Sequence, residues 1–218
     1  MISRYTIYLR LAVTAFLLLT ILFTQGQSLT YNVMRGSKDI GDMTVIREIK
    51  QNQVYYDIKS KVEFRILFSF TVDYQSQSEY KDGRLIKEFT HNQLNGASQK
   101  KSTIWFDGEK YTLDLNGIRS YETGSITFSV AAIYYNEPTH LQKVFSPQFA
   151  RYLKFKQINE HQYELDSPDG VNTYTYLNGI CTRVDVNRDF ARFSFVMTEK
   201  SLEVVKNFTG SGTAPTVD

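Results

Sequence analysis

Residues 54–75, VYYDIKSKVEFRILFSFTVDYQ, alternate between apolar and polar side chains along almost their whole length. The apolar set occupies the even positions and comprises Val54, Tyr56, Ile58, Val62, Phe64, Ile66, Phe68, Phe70, Val72 and Tyr74. A period of two places alternate residues on opposite faces of a β-sheet. The stretch therefore predicts β-strand with one face on a core and the other in water.

This stretch is too long to be a single straight strand. At about 3.3 Å per residue it would extend roughly 70 Å, well beyond the width of a small domain. We therefore expect it to fold back near Ser60 or around residues 66–68, through a bulge or a tight reversal that keeps the same side chains buried.

Asp-Gly and Asn-Gly pairs punctuate much of the remaining chain, at Asp82-Gly83, Asn95-Gly96, Asp107-Gly108, Asn116-Gly117, Asp169-Gly170 and Asn178-Gly179. Each pair suits a two-residue type I′ hairpin turn, which requires positive φ. We expect further strands at 29–35, 42–49, 85–93, 98–106, 110–115, 118–122, 152–157, 162–166, 172–177, 181–186 and 191–197. The sequence thus predicts an all-β fold, an antiparallel meander of about a dozen strands curled into a barrel or half-barrel.

The longest gap in this meander, residues 123–147, predicts one short inserted helix. Ser125 can cap it, the apolar residues that follow recur at helical spacing as far as Tyr135, and Pro138 forbids continuation. Such a helix would cover an open end of the sheet or act as a moving lid.

The N-terminal segment predicts a secretory signal peptide. Arg4 and Arg10 precede an apolar run at 11–23, and Thr24 and Gly26 supply small side chains before a mature start near Gln27. A membrane anchor is the alternative, but it needs about 20 apolar residues. We expect residues 1–26 to be the signal peptide, 27–205 a single β domain and 206–218 a disordered tail. The mature protein would be soluble, periplasmic or extracellular, with no stable membrane insertion.

Charge and cysteine content narrow the possible partners. The chain has 25 basic and 23 acidic residues, and Arg4 and Arg10 leave with the signal peptide, so the mature chain is formally neutral. Without a basic block, a nucleic-acid partner is not expected. The single cysteine, Cys181, lies in a strand-like run and is expected to be a buried thiol.

No catalytic, metal or cofactor site is predicted. His91, His140 and His161 form no ligand-spaced pair, and the nucleophile motif Gly-x-Ser-x-Gly is absent. Arg183 and Arg192 could recognise an anion together. Alternatively, they form a solvated cross-strand charge network with Asp185.

Two longer segments resemble a known family. They are YNVMRGSKDIGDMTV at residues 31–45 and YTYLNGICTRVDVNRDFARFSF at residues 174–195. Both are similar to an uncharacterised family of exported bacterial β-rich proteins of unknown function, which assigns no catalytic residues. A more distant likeness, in fold alone, is to the lipoprotein-carrier-like envelope proteins, in which a curved sheet wraps a helix and shelters acyl chains.

Two functions remain open. The first is a non-enzymatic envelope binding module that shelters an apolar or lipid-like ligand, lined by Phe64, Phe68, Phe70 and Tyr74. These aromatic residues could instead simply fill the core. The second is a structural or protein-interaction protein of the envelope with a solid core. A hydrolase has the least support, because no pair of carboxylates stands out.

Overall fold

The computed structural model describes residues 24–65, 68–188 and 192–207. Their strands are β1 (Thr24–Arg35), β2 (Lys38–Lys50), β3 (Gln53–Arg65), β4 (Ser69–Lys81), β5 (Arg84–Leu94), β6 (Ala97–Phe106), β7 (Tyr111–Leu115), β8 (Ile118–Glu122), β9 (Lys143–Ser146), β10 (Arg151–Asn159), β11 (Gln162–Ser167), β12 (Gly170–Leu177), β13 (Ile180–Asn187) and β14 (Arg192–Met197). They form one 14-stranded sheet whose named strands pair antiparallel, in the order β8-β7-β6-β5-β4-β3-β2-β1-β14-β13-β12-β11-β10-β9. The all-β prediction is confirmed.

The predicted fold-back of residues 54–75 occurs at the second of the two expected places. Strand β3 ends at Arg65 and β4 begins at Ser69, with Phe64 paired to Phe70 and Ser60 paired to Tyr74. The apolar residues paired between β3 and β4 therefore stay on the face that the alternation assigned to them. Residues 66 and 67 lie outside the described part of the chain.

Four of the six glycine pairs form the predicted turns. In Asp82-Gly83, Asn95-Gly96, Asn116-Gly117 and Asn178-Gly179 both residues have positive φ. At the other two pairs only the glycine does. The Asp107 carboxylate instead accepts hydrogen bonds from the backbone N–H groups of Glu109 and Lys110, which shapes a longer turn.

The sheet curls, but its edge strands β8 and β9 do not pair with each other. The 3₁₀ turn at Pro147–Phe149, between β9 and β10, instead contacts β6 across the open side of the sheet. The Ser102 hydroxyl on β6 donates to the Pro147 carbonyl over 2.7 Å, and Lys100 on β6 pairs with Asp169 at 3.3 Å. Side chains thus join the two halves of the sheet where strand pairing does not.

The connector, residues 123–142, is not the helix that its apolar spacing predicts. Only Ala132–Tyr134 form a 3₁₀ turn, and most of the rest is irregular or extended. The backbone finds distant partners instead: Leu85 N–H donates to the Ile126 carbonyl, and Phe128 and Val130 bond to Phe145. Because these bonds satisfy the backbone without a helix, tertiary pairing overrides the local pattern. The connector packs on the inner face of the sheet, where Ile126 and Ile133 are fully buried.

The described α-helix lies elsewhere, at Glu199–Lys206 (α1), a segment that the sequence reasoning did not predict as helical. Thr198 caps it by accepting from Ser201 N–H, and Val205 is buried in the main core. The predicted tail from 206 onward therefore overlaps the end of α1, and its residues 208–218 lie outside the described part.

Gly41 marks a close approach of two strands that can be tested. It has a φ of +154°, and a Cβ there would lie 2.1 Å from the Lys61 carbonyl oxygen. We expect Gly41→Ala to lower the free energy of unfolding by about 2 kcal/mol or more, as measured by urea denaturation. The control is Gly36→Ala in the β1–β2 turn, where nothing lies within 4 Å of the added Cβ. Its cost should be only about 1 kcal/mol, and equal losses in the two variants would contradict the prediction.

Candidate functional site

The curled sheet has two ends, which differ in how they are covered. Turns of a meander alternate between ends, so the β1–β2, β3–β4, β5–β6, β11–β12 and β13–β14 turns share one end, here called the β3–β4 end. The opposite end, called the α1 end, holds the β12–β13 turn and α1. The difference between these ends locates the candidate site.

The α1 end is covered. Leu202 and Val205 of α1 pack against the main core, and Asn178 in the β12–β13 turn donates to the Val205 carbonyl over 3.1 Å. The connector covers the inner face beside it: the Tyr135 hydroxyl lies 2.7 Å from the Gln27 carbonyl and 2.8 Å from the Val45 carbonyl. These contacts leave little of the inner face exposed at this end.

The β3–β4 end carries a second, smaller apolar cluster on the inner face. Its buried members are Val33, Ile40 and Val62, and the half-buried residues packed against them are Phe64, Val72, Phe193 and Phe195. Phe193 and Phe195 lie edge to face with ring centroids 5.6 Å apart. Phe193 and Phe195 also pack against the main core, whereas the described hydrophobic residues of this cluster include none from the connector or α1. Large aromatic side chains here stay partly exposed to solvent.

The structure brings two of the four predicted lining residues together. The rings of Phe64 and Phe70 stack with centroids 5.4 Å apart at the β3–β4 end. Tyr74 lies deeper on the same face, half-buried against the main core. Phe68 stands at the tip of the hairpin and is 74% exposed, so it does not line an interior surface.

The predicted arginine pair lies on the outer face of the sheet, along an open groove of about 570 Å³. Arg183 is engaged by Asp185, with Nη2 to Oδ1 at 2.7 Å, and also donates to Ser194. Arg192 donates to Asn187 Oδ1 over 3.0 Å rather than to Asp185. An anion would have to displace Asp185 from Arg183, so recognition of an anion by this pair stays a prediction.

Sequence reasoning missed the most unusual ionisable group, Glu88 on β5, which is fully buried on the inner face. Ser76 donates to its Oε1 over 3.3 Å, and its Oε2 has no hydrogen-bond partner among the described residues. Burial raises the pKa of Glu88 to about 8, although the hydroxyls of Ser78, Ser129 and Ser76 favour the charged form. Glu88 is thus protonated at neutral pH.

A signal for this polar site was present in the alternation. Ser76 and Ser78 continue the even, inward-facing set of β4 and are both buried. Glu88 pairs with Ser78, and Thr90 pairs with Ser76, in the register of β4 and β5. Extending the alternation beyond Tyr74 would therefore have predicted an inward row of hydroxyl groups, although not its carboxyl partner.

A second carboxylate ties the end of the connector to the sheet. Glu137 accepts a hydrogen bond from the Tyr163 hydroxyl over 2.9 Å, and His161 Nδ1 lies 3.0 Å from each of its oxygens. The hydrogen bond to Glu137 raises the pKa of the exposed His161 ring. The contact joins the connector to the β10–β11 turn, so we assign it a structural role.

Two further properties bear on possible chemistry. Within residues 24–65, 68–188 and 192–207, no three His, Cys, Asp or Glu side chains are grouped as metal ligands would be. No helix in the described part of the chain is long and apolar enough to cross a membrane. Cys181 is fully buried, as the sequence predicts, and burial raises the pKa of its thiol.

A family model described as a domain of unknown function, DUF6134, matches residues 31–198. The chain belongs to the DUF6134 family. The expectation of an uncharacterised family is thereby confirmed. The DUF6134 match begins within β1 and stops at Thr198, the residue that caps α1, so it spans nearly the whole sheet and the connector. Neither the curated proteins nor the solved structures gave a significant match.

Glu88 should make the stability of this DUF6134 domain depend on pH. Its pKa rises from 4.5 to about 8 on folding, so between these values the unfolded chain ionises while the folded chain stays neutral. The free energy of unfolding should therefore fall as pH rises through this window, by at most about 1.4 kcal/mol per pH unit, and level off above it.

Urea denaturation from pH 5 to pH 9 measures this effect, with Glu88→Gln as the comparison. The two proteins should have similar stability at acidic pH and diverge as pH rises, with the variant the more stable. His161 titrates in both proteins, so their difference isolates Glu88. Parallel pH profiles would show that Glu88 does not change its protonation state on folding.

Proposed function

We propose that this protein is a non-enzymatic binding module that holds an apolar or lipid-like ligand at the β3–β4 end of its curled sheet. The observation that carries the proposal is the half-buried aromatic cluster on the inner face at that end. Apolar surface that stays exposed to water costs free energy, and a patch of this kind commonly marks a binding site. The ligand would lie across Phe64, Phe70, Phe193 and Phe195.

The shape of the molecule favours an apolar chain over a compact ligand. The connector and α1 fill the inner face toward the α1 end, where Tyr31, Tyr134 and Tyr174 pack in the core. A ligand would therefore enter from the β3–β4 end and reach only as far as Tyr74. One end of an acyl chain or a similar flexible apolar group fits such a shallow site.

Binding of an apolar fluorescent probe tests this proposal. We expect the delipidated protein to bind 1-N-phenylnaphthylamine with increased fluorescence, and Phe70→Asp to weaken the affinity by about tenfold or more, because a carboxylate would replace an aromatic contact. The matched control is Phe89→Asp, since Phe89 is also half-buried but lies on the outer face of β5. Native mass spectrometry of protein from its own envelope should show an apolar adduct. Loss of probe binding in both variants, or no probe binding in the wild type, would contradict the proposal.

A packed interior favours a second candidate, a structural or protein-interaction protein of the envelope. The connector already occupies much of the concave side, and its Ile126 and Ile133 are fully buried. In that case the aromatic cluster would only complete the core, and chemical crosslinking in cells should capture a protein partner while the native mass stays bare.

We further propose that the protein is exported through cleavage of residues 1–26. The apolar run between Arg10 and Gln25 supports this, and so does the position of Gln27, whose carbonyl accepts a hydrogen bond from Tyr135 of the connector. N-terminal sequencing of the mature protein should begin at Gln27. Cleavage there would remove three residues of β1 that pair only with the end of β2. A mature chain that retains residues 11–23 would indicate an anchor instead.

A further inference from the structure

The tip of the β3–β4 hairpin exposes a large apolar side chain beside basic residues. Phe68 is 74% exposed, which is unusual for phenylalanine in a folded domain. Arg65, three residues before it on β3, is also exposed. Neither Phe68 nor Arg65 belongs to the aromatic cluster, so ligand binding by that cluster does not explain why both side chains are exposed at this end.

The register of the sheet places further cations at the same height. Gly41 on β2 pairs with Val62 on β3, and Lys38 and Arg65 lie three residues beyond this pair on the two strands. The pairing of β2 with β3 ends at Gly41 and Val62, so both cations lie beyond the last paired residues, at the β3–β4 end of the sheet. Arg35 pairs with Lys38 across the β1–β2 turn, which adds a third positive charge.

The next hairpin adds another cation. Met34 on β1 pairs with Ser194 on β14, and Arg192 is exposed two residues beyond Ser194 toward the same end. Two acidic residues lie near these cations: Asp39 on β2, whose carboxylate accepts the backbone N–H of Gly41, and Glu63 on β3, which forms an ion pair with Lys61. No ion pair between described residues involves Lys38, Arg35 or Arg65. The formal neutrality of the whole mature chain thus conceals a local excess of positive charge.

We propose that the β3–β4 end docks on the surface of an anionic lipid bilayer, with Phe68 inserted at the level of the headgroups and Lys38, Arg35, Arg65 and Arg192 against the lipid phosphates. An aromatic ring is favoured at the boundary between water and hydrocarbon, and basic residues next to a membrane are attracted by anionic lipids. Docking in this orientation turns the aromatic cluster toward the bilayer. The inference goes beyond the proposed ligand binding and stands whether or not the cluster holds a ligand.

Flotation with vesicles tests the proposal. The probes are vesicles of equal parts phosphatidylglycerol and phosphatidylcholine, compared with vesicles of phosphatidylcholine alone. We expect the full mature protein to float with the anionic vesicles, to bind the neutral ones much more weakly, and to dissociate as salt rises. Phe68→Asp should lower the partition coefficient by about tenfold or more, and Lys38→Gln with Arg65→Gln by about fivefold or more.

Matched controls come from α1 at the opposite end. Val204 is 60% exposed, and Val204→Asp should leave binding within about twofold of the wild type, as should the pair Lys200→Gln and Lys206→Gln. Circular dichroism confirms that each variant is folded. Equal binding to both kinds of vesicle, no binding to either, or equal losses in the control variants would overturn the proposal.

Failure of docking and failure of ligand binding can be told apart. Phe70→Asp should weaken binding of the fluorescent probe by about tenfold or more and leave flotation with anionic vesicles largely intact, whereas Phe68→Asp should weaken flotation and leave probe binding largely intact. If one variant removes both properties, the hairpin tip and the aromatic cluster form a single site, and the proposal of separate docking is wrong.

Discussion

The fold depends on the need to cover one apolar face of a single sheet. Fourteen antiparallel strands in one continuous sheet present one inward face, and no second sheet or helical layer lies against it in the described structure. The sheet must therefore curl onto itself and onto the chain that crosses it. The connector meets this need, since Tyr135 bonds to backbone carbonyls on β1 and β2 while Ile126 bonds to β5. Val130 of the connector also bonds to Phe145 on β9, so the same chain contacts strands of both halves of the sheet.

Covering the inner face with an irregular connector has a chemical consequence. An irregular segment brings backbone polar groups into the interior. The sheet carries hydroxyl side chains at inward positions, including Ser76, Ser78 and Ser102. The Ser102 hydroxyl donates a hydrogen bond to the Pro147 carbonyl, and the Glu88 carboxyl group lies next to Ser129 of the connector. A carboxyl group tolerates such a place only in its neutral form, because little there compensates a buried charge. The buried polar side chains therefore lie under the connector, whereas the half-buried aromatic cluster lies at the β3–β4 end.

The candidate site was predictable to the extent that it follows the alternation along one strand. Phe64 and Phe70 share an inward face by parity alone, and the structure pairs them. Phe68 is exposed because the hairpin turns there, and the alternation of apolar and polar residues does not fix the position of the turn. Phe193 and Phe195 join the site only because β14 pairs with β1, at the other end of the chain. Glu88 was missed because a polar residue in a strand normally indicates the solvent face, and its burial depends on the connector above it.

The sequence by itself determined the all-β class, four of the six hairpin turns at glycine pairs and the face on which most strand residues lie. These properties are local, because a strand alternates with a period of two and an Asn-Gly pair readily adopts the positive φ of a tight hairpin turn. The tertiary structure alone decided the path of the connector, the helix at Glu199–Lys206 and the two unlike ends of the sheet. Each of these depends on partners far along the chain: Phe145 for the connector, Thr30 and Asn178 for the helix. Residues 125–135 do not form the helix that their apolar spacing predicts. Their observed backbone path gains hydrogen bonds to distant residues and buries apolar side chains at the same time.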